Sequence, residues 1–214
     1  MRPRKKKHGE ERLAACADIL ISQPEERRGT LKTCFQNPEL PLHVELGCGK
    51  GAFILQMAQC YPSINFLALE REKNVLVTAT EQALPFALPN LRFILGDASG
   101  LRNLFEPGEV ERIYINFCDP WHKRKQYKRR LTYRENLRIY LEVLQPKGEI
   151  YFKTDNEPLF RFSVGEFDDC MERYFTTENL HQSDCAADNI MTEYETAFTE
   201  KGMPIYSIRA RKIQ

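Results

Sequence analysis

The sequence predicts a doubly wound α/β fold, with a mainly parallel sheet and helices on both faces. Short apolar runs of strand length alternate with longer segments of helical periodicity along most of the chain. A glycine-rich turn at residues 47–51 joins the first strand to a helix. Polar residues follow successive strands at their carboxyl ends, which is the edge where open α/β sheets bind ligands.

The predicted elements begin after a basic stretch. Residues 1–12 are expected to form a mobile basic arm, and residues 13–214 a single domain. Helical spacing predicts a short amphipathic helix over the apolar residues Leu13, Cys16, Ala17, Leu20 and Ile21.

Short apolar runs and helix-stop residues define the elements that follow. Strands are predicted at residues 42–46, 65–69, 91–95, 112–117 and 148–154, with two late strands at 175–180 and 205–211. Helices are predicted at residues 52–60, from the second strand to about residue 84, at 133–144, and from the fifth strand to about residue 174. A polar, basic loop is expected between residues 121 and 133.

Composition excludes several classes of protein. Hydrophobic residues make up 42% of the chain and charged residues 29%, which is typical of a globular enzyme and not of a disordered or collagen-like chain. No apolar run approaches the roughly 18–20 residues that span a bilayer, and no secretory signal follows the basic start. The protein is therefore expected to be cytoplasmic, without a membrane partner. Seven cysteines without Cys-x-x-Cys spacing, with only four histidines, predict no metal site.

The first candidate site is the turn that contains Gly47, Gly49 and Gly51, which allows a tight bend and close approach of a ligand to the backbone. Glu70 follows at the end of the second strand, 19 residues after Gly51, where a carboxylate can accept both ribose hydroxyls. The glycines also fit the NAD fingerprint. However, carboxylates at Glu45 and Asp97 would repel a pyrophosphate and attract the ammonium and sulfonium of S-adenosylmethionine. Charge therefore favours the methyl donor, with NAD as a distant alternative.

The fourth and fifth strands lead to a second candidate site, which contains Asp119 and Asp155. Asp119 is a candidate for contacting the donor, the target or both, and Trp121 is either a stacking surface or a core aromatic. A basic run follows: Lys123, Arg124, Lys125, Lys128, Arg129 and Arg130. Residues 1–8 and 121–134 together carry twelve positive charges, so a chain of net charge +1 has −11 elsewhere. Phosphate contacts by the basic run are therefore expected.

At this point the chain resembles the bacterial tRNA (guanine-N7-)-methyltransferases over nearly its whole length. The resemblance rests on Glu-Leu-Gly-Cys-Gly-Lys-Gly (45–51), Glu70, Gly-Asp-Ala (96–98), Asn-Phe-Cys-Asp-Pro-Trp-His-Lys-Arg-Lys (116–125), Phe-Lys-Thr-Asp-Asn (152–156), Thr-Glu-Tyr-Glu-Thr-Ala-Phe (192–198), Gly202 and Pro-Ile-Tyr (204–206). The first block is shared by many methyltransferases, whereas Asp-Pro-Trp-x-Lys together with Thr-x-Tyr-Glu is far more specific.

The resemblance implies a Rossmann-like methyltransferase fold and an enzyme that methylates N7 of the variable-loop guanine at tRNA position 46, without a metal. Contacts to the methyl donor are implied at Glu45, Glu70, Asp97 and Asp119. We expect Asp119 to be the catalytic residue. Contacts to the substrate are implied at Lys123, Asp155, Thr192, Glu193, Tyr194 and Glu195. RNA contacts are implied at Lys125, Gln126, Tyr127, Lys128, Arg129 and Arg130.

Two rival functions remain at the level of sequence. Asp119-Pro120-Trp121 faintly resembles the (Asp/Asn)-Pro-Pro-(Tyr/Phe) motif of amino-group methyltransferases, but the second proline is missing. A non-catalytic RNA-binding protein with this fold would have lost donor-site residues, and here they are all present. The sequence leaves open whether the chain acts as a monomer or a homodimer.

Overall fold

The computed structural model describes residues 8–213, which fall into two compact units, one ending at Glu106 and the other beginning at Pro107. Residues 1–7 of the predicted basic arm lie outside the described residues. The last residues of that arm, from Gly9 to Arg12, belong to a helix. Within the described range, no helix has both the length and the apolar character to span a membrane.

The first unit contains three parallel strands in the order β3-β2-β1. Its elements are α1 (Gly9–Ala14), β1 (Leu42–Leu46), α2 (Ala52–Cys60), β2 (Asn65–Glu70), α3 (Lys73–Ala83), β3 (Leu91–Leu95) and α4 (Leu101–Leu104). Every residue of β1 and β2 is buried, so both faces of these strands are covered, as is usual for parallel strands. The bounds predicted for β1, α2 and β3 are confirmed.

The helix predicted over residues 13–21 is wrong. Helix α1 ends at Ala14, and residues 15–19 form turns. The chain then pairs with the edge of β3, because the Ile21 amide donates to the Phe93 carbonyl (2.9 Å) and the Phe93 amide to the Ile19 carbonyl (2.8 Å). These backbone hydrogen bonds outweigh the helical spacing of the side chains.

The second unit contains four strands in the order β4-β5-β7-β6. Its elements are β4 (Val110–Asn116), α5 (Arg134–Val143), β5 (Leu144–Thr154), α6 (Glu157–Asp168), β6 (Glu172–Thr177), α7 (Glu193–Thr199) and β7 (Tyr206–Arg211). Strands β4 and β5 are parallel, whereas β7 is antiparallel to both β5 and β6.

The prediction that a helix extends to residue 174 is wrong, since α6 ends at Asp168 and β6 begins at Glu172. Alternate residues of β6 are exposed, so this polar edge strand has no apolar run to mark its start. The segment predicted as a basic loop contains a 3-10 helix at Arg124–Arg129.

Candidate functional site

The glycine turn of the first unit provides an open surface of backbone next to β1. Gly47, Gly49 and Gly51 have φ angles of 78°, 58° and 81°, in the left-handed region that favours glycine. A Cβ atom at Gly47 or Gly49 would meet nothing within 4 Å, but at Gly51 it would lie 3.0 Å from the Cβ atom of Ala79. The first two glycines therefore leave space for a ligand, while Gly51 allows the start of α2 to pack against α3.

Glu70 at the end of β2 is hydrogen-bonded to this turn. Its carboxylate accepts from the amide of Gly49 (3.0 Å) and from the amide of Glu72 (2.9 Å). Burial raises the pKa of Glu70, and these two amides act in the opposite direction. The carboxylate is thus a desolvated acceptor, held at the edge of the glycine turn.

Two further carboxylates lie on the neighbouring strands of this sheet. Glu45 is buried on β1, with 2% of its surface exposed. Asp97 follows β3, and its carboxylate accepts from the amide (2.9 Å) and hydroxyl (2.6 Å) of Ser99. Burial opposes ionisation of Asp97, but the hydrogen bonds from Ser99 outweigh it and lower the pKa.

The ends of the three parallel strands are joined directly to one another. The amide of Gly47 donates to the carbonyl of Leu69 (2.9 Å), and the amide of Gly96 donates to the carbonyl of Glu70 (3.1 Å). The structure therefore brings the predicted donor residues of this unit, which are Glu45, Gly47, Gly49, Glu70 and Asp97, to one edge of the sheet. An edge of this charge favours a cationic ligand over a pyrophosphate.

In the second unit, Asp119 lies in a strained turn after β4. Phe117 and Trp121, on either side of it, have φ angles of 51° and 43°, which are unusual for residues other than glycine. Such conformations persist where the surroundings hold them in place, and they concentrate at functional sites. Asp119 is exposed at the end of this strand.

The pKa of Cys118 argues against a nucleophilic role in this turn. Burial, and then the charge of the adjacent Asp119, raise the pKa of its thiol to about 12. The thiol is therefore protonated at neutral pH, and the thiolate needed for nucleophilic attack is scarce.

Arg130 is buried against the Asp119 turn and bonds to its backbone, which differs from its predicted role as an RNA contact. Only 3% of its surface is exposed. Its guanidinium donates to the carbonyls of Pro120 (2.8 Å) and Trp121 (3.4 Å) and lies over the rings of Tyr127 (3.7 Å) and Phe162 (4.3 Å). In this conformation Arg130 supports the Asp119 turn and presents no charge to a phosphate.

The rest of the basic run is accessible. Exposed cationic side chains lie on or next to the 3-10 helix, at Lys123, Arg124, Lys125, Lys128 and Arg129. Gln126 and Tyr127 are partly buried, and Tyr127 packs against Phe162 (5.4 Å between ring centroids). We call the five exposed cations the basic surface. Trp121 contacts this surface, because the guanidinium of Arg129 lies 5.0 Å from its ring centroid.

The residues predicted to bind the substrate divide into two groups. Tyr194 is 50% exposed and lies 5.3 Å from the ring of Phe117 and 4.4 Å from that of Phe198. Burial, and then the charge of Asp155, raise the pKa of Tyr194. Glu193 is exposed beside it. Asp155 lies two residues after Lys153, whose carbonyl accepts from the amide of Phe117 (2.9 Å). We call Tyr194, Phe117 and Asp155 the acceptor cluster.

Thr192 and Glu195 have a different position. They form a capping box at the start of α7, in which the Thr192 hydroxyl accepts from the Glu195 amide (2.9 Å) and the Glu195 carboxylate accepts from the Thr192 amide (3.4 Å). Glu195 is fully buried and bonds to Lys153 Nζ (2.7 Å). These two residues order the helix that carries Tyr194.

Sequence reasoning missed Phe117 and Lys153 as parts of this site. In the sequence, Phe117 is the last apolar residue of a predicted strand, and Lys153 is a single polar residue within another. Lys153 interrupts the apolar run of β5, and this interruption could have indicated its role, because a lysine within a buried strand needs partners. Across residues 8–213, no group of three or more His, Cys, Asp or Glu side chains is placed to hold a metal ion.

Comparison with known proteins identifies the class. A family model described as a putative methyltransferase matches residues 39–208. Among solved structures, the chain resembles the 16S rRNA methyltransferase KamB (TM-score 0.60, 13% identity, covering 81% of this chain and 88% of that one). It also resembles a 16S rRNA (adenine(1408)-N(1))-methyltransferase mutant solved with its cosubstrate SAM (TM-score 0.56, 13% identity, covering 98% and 93%). The fold is that of the Rossmann-like methyltransferases, and the predicted fold class is confirmed.

Curated relatives narrow the class further. The chain is 44% identical to the tRNA (guanine-N(7)-)-methyltransferase of Geobacillus sp. (strain WCH70), over 96% of this chain and 93% of that protein. It is 43% identical to the enzyme of the same name from Bacillus cytotoxicus, over 99% and 97%. The chain belongs to the bacterial tRNA (guanine-N(7)-)-methyltransferase family, as the sequence motifs predicted.

Proposed function

We propose that this protein transfers a methyl group from S-adenosylmethionine to N7 of the variable-loop guanine at position 46 of tRNA, in the cytoplasm. The observation that carries the proposal is identity of more than 40% over nearly the full length with enzymes named for tRNA guanine-N7 methylation. The assignment of S-adenosylmethionine as donor and of tRNA position 46 as target rests on the resemblance. It also rests on the chemistry of the residues at the ends of β1–β3 and of the acceptor cluster.

The residues at the carboxyl ends of β1, β2 and β3 fit the donor. Gly47 and Gly49 leave open space above the backbone, and Glu70 presents a buried carboxylate to ribose hydroxyls. Glu45 and Asp97 supply negative charge for the ammonium group or an acceptor for the adenine amino group. When bound, S-adenosylmethionine supplies an electrophilic methyl group on a positively charged sulfur.

The reaction needs no general base, because guanine N7 already has an available lone pair. A bond forms between N7 and the methyl carbon as the bond from carbon to sulfur breaks, and its electron pair remains on sulfur. No proton is transferred, and the guanine becomes positively charged. Catalysis therefore depends on positioning and on electrostatic stabilisation.

We assign the positioning of guanine to the acceptor cluster. The ring of Tyr194 offers a stacking surface, and the Asp155 carboxylate can accept hydrogen bonds from N1 and N2 of guanine. Asp119 contributes a further carboxylate that offsets the positive charge the ring gains. The basic surface holds the tRNA backbone through its phosphates.

The test is identification of the product. Purified protein, methyl-labelled S-adenosylmethionine and unmodified tRNA should give 7-methylguanosine, located by nuclease mapping at position 46. Methylation at another guanine would reject the position, and a methylated exocyclic amine would reject the reaction. Binding of tRNA with no product would favour an RNA-binding protein that lacks activity.

Asp119 gives a second, residue-level test. Replacement by asparagine keeps the shape of the side chain and removes its charge, so kcat should fall by about tenfold or more. The matched control is Asp168→Asn, at the end of α6, which should leave kcat unchanged. Near wild-type kcat in Asp119→Asn would reject the proposed role of this carboxylate.

A further inference from the structure

Lys153 is a buried cation in the interior of β5. Its side chain is 8% exposed, and its ammonium donates to three acceptors. These are Asn189 Oδ1 (3.0 Å), the carbonyl of Ile190 (3.0 Å) and Glu195 Oε2 (2.7 Å). An ammonium group carries three protons, so these bonds can use all of its donors.

All three partners belong to one short segment, residues 189–195. Glu195 ties the segment together further, because its Oε1 accepts from the side-chain amide of Asn189 (2.6 Å) and lies 3.2 Å from Nε2 of His181. This segment contains no strand, and its helix α7 is only seven residues long. A helix of this length is marginal by itself, so its position depends on such contacts.

The backbone of Lys153 reaches the other side of the acceptor cluster. Its carbonyl accepts from the amide of Phe117 (2.9 Å), the residue whose ring contacts Tyr194. Asp155 lies two residues further along the chain, just past the end of β5. Lys153 is thus bonded to the backbone of Phe117 and to the segment that carries Tyr194, and it lies two residues before Asp155.

We propose that Lys153 is a positioning residue for the acceptor: it holds residues 189–195 so that the ring of Tyr194 stays in contact with that of Phe117 at the end of β4. Lys153 contacts neither guanine nor the donor in this role. The role in positioning guanine rests on the proposed function. The ordering of residues 189–195 by Lys153 can be measured separately, without an assay of methyl transfer. Lys153 is not among the residues expected to contact the donor, which are Glu45, Glu70, Asp97 and Asp119.

A charge-removing substitution of similar length tests the proposal. In Lys153→Met, amide hydrogen exchange in residues 186–199 should accelerate by about tenfold or more, while exchange in β1, β2 and α2 stays unchanged. The KM for tRNA should rise by about tenfold or more, with the dissociation constant for S-adenosylmethionine changed by less than about twofold. The matched control is Lys147→Met, at an exposed position near the other end of the same strand, which should alter neither quantity.

Lys153→Arg restores the charge and should recover part of the lost protection and of the lost tRNA affinity. If Lys153→Met is insoluble, Glu195→Gln breaks the same ion pair with almost no change in shape and carries the same two measurements. Exchange rates and a KM equal to those of Lys147→Met would overturn the proposal. So would equal losses of tRNA and donor binding, which indicate a general structural role. Absence of 7-methylguanosine with the wild-type protein would instead reject the proposed function. The hydrogen-exchange rates would then still decide whether Lys153 orders residues 189–195.

Discussion

Replacement of Gly51 by alanine separates the structural glycine of the turn from the two that face open space. At φ 81° an alanine incurs a left-handed conformational cost of roughly 1–2 kcal/mol. Its Cβ atom would also lie 3.0 Å from Ala79 Cβ and 3.4 Å from Ala79 Cα. Overpacking of this kind adds about 1–3 kcal/mol, so Gly51→Ala should lose roughly 2–5 kcal/mol of unfolding free energy.

Gly49→Ala is the matched comparison. Its φ of 58° gives a similar backbone cost of roughly 1–2 kcal/mol, but no atom lies within 4 Å of the added methyl group. Gly49→Ala should therefore be the more stable of the two variants. It should also be the weaker binder of S-adenosylmethionine, because the methyl group occupies the space assigned to the donor.

Urea unfolding monitored by circular dichroism measures the first difference, and isothermal titration calorimetry measures the second. Gly165→Ala serves as a control, since this helical glycine in α6 has open space around it and should gain about 0.5–1 kcal/mol. Equal stability of Gly51→Ala and Gly49→Ala would refute the packing argument. Undiminished donor affinity in Gly49→Ala would refute the placement of the ligand.

Three further predictions concern the charges of the two arginines, the carboxylate of Glu70 and the thiol of Cys118. Arg130→Ala should lose about 2–4 kcal/mol of unfolding free energy, because it leaves the carbonyls of Pro120 and Trp121 without this donor. Arg129→Ala should instead keep its unfolding free energy and lower the salt dependence of tRNA binding by about one unit of slope. Since burial raises the pKa of Glu70, its proton binds more tightly in the folded state, so the free energy of unfolding should fall as the pH rises through that pKa, and Glu70→Gln should remove this dependence. Donor affinity of Glu70→Gln, measured by calorimetry at pH 7, should nevertheless fall by about tenfold or more; undiminished affinity would contradict the ribose contact. Cys118, with its pKa raised to about 12, should resist alkylation by iodoacetamide at pH 8, and rapid labelling would contradict the raised pKa.

Much of the donor site was predictable because its determinants are local in sequence. A glycine turn must follow a buried strand and begin a helix, and residues 42–60 carry all three signals in order. Glu70 and Asp97 could be placed at strand ends because apolar runs of strand length stop directly before or close to them. Parallel pairing then brings these ends to a common edge without further information.

The sequence could not separate the accessible from the buried members of the second site. Arg130 and Arg129 are neighbours of the same charge, yet Arg130 is buried under the Asp119 turn and Arg129 is exposed. Glu195 has the sequence context of an ordinary polar residue, yet it is fully buried and paired with Lys153, 42 residues earlier in the chain. The edge strand β6 was misplaced for a related reason, since its pairing with β7 and not its own apolar pattern defines it.

By itself, the sequence determined the α/β class, the glycine turn and its carboxylates, and the family. Each of these depends on residue type and on spacing over a few tens of residues. Only the tertiary structure decided which glycine serves packing, which arginine supports the Asp119 turn, and which residues of the Thr-x-Tyr-Glu motif are available to a substrate. Those properties depend on burial and on long-range partners, and the partners are set by how the strands and helices pack.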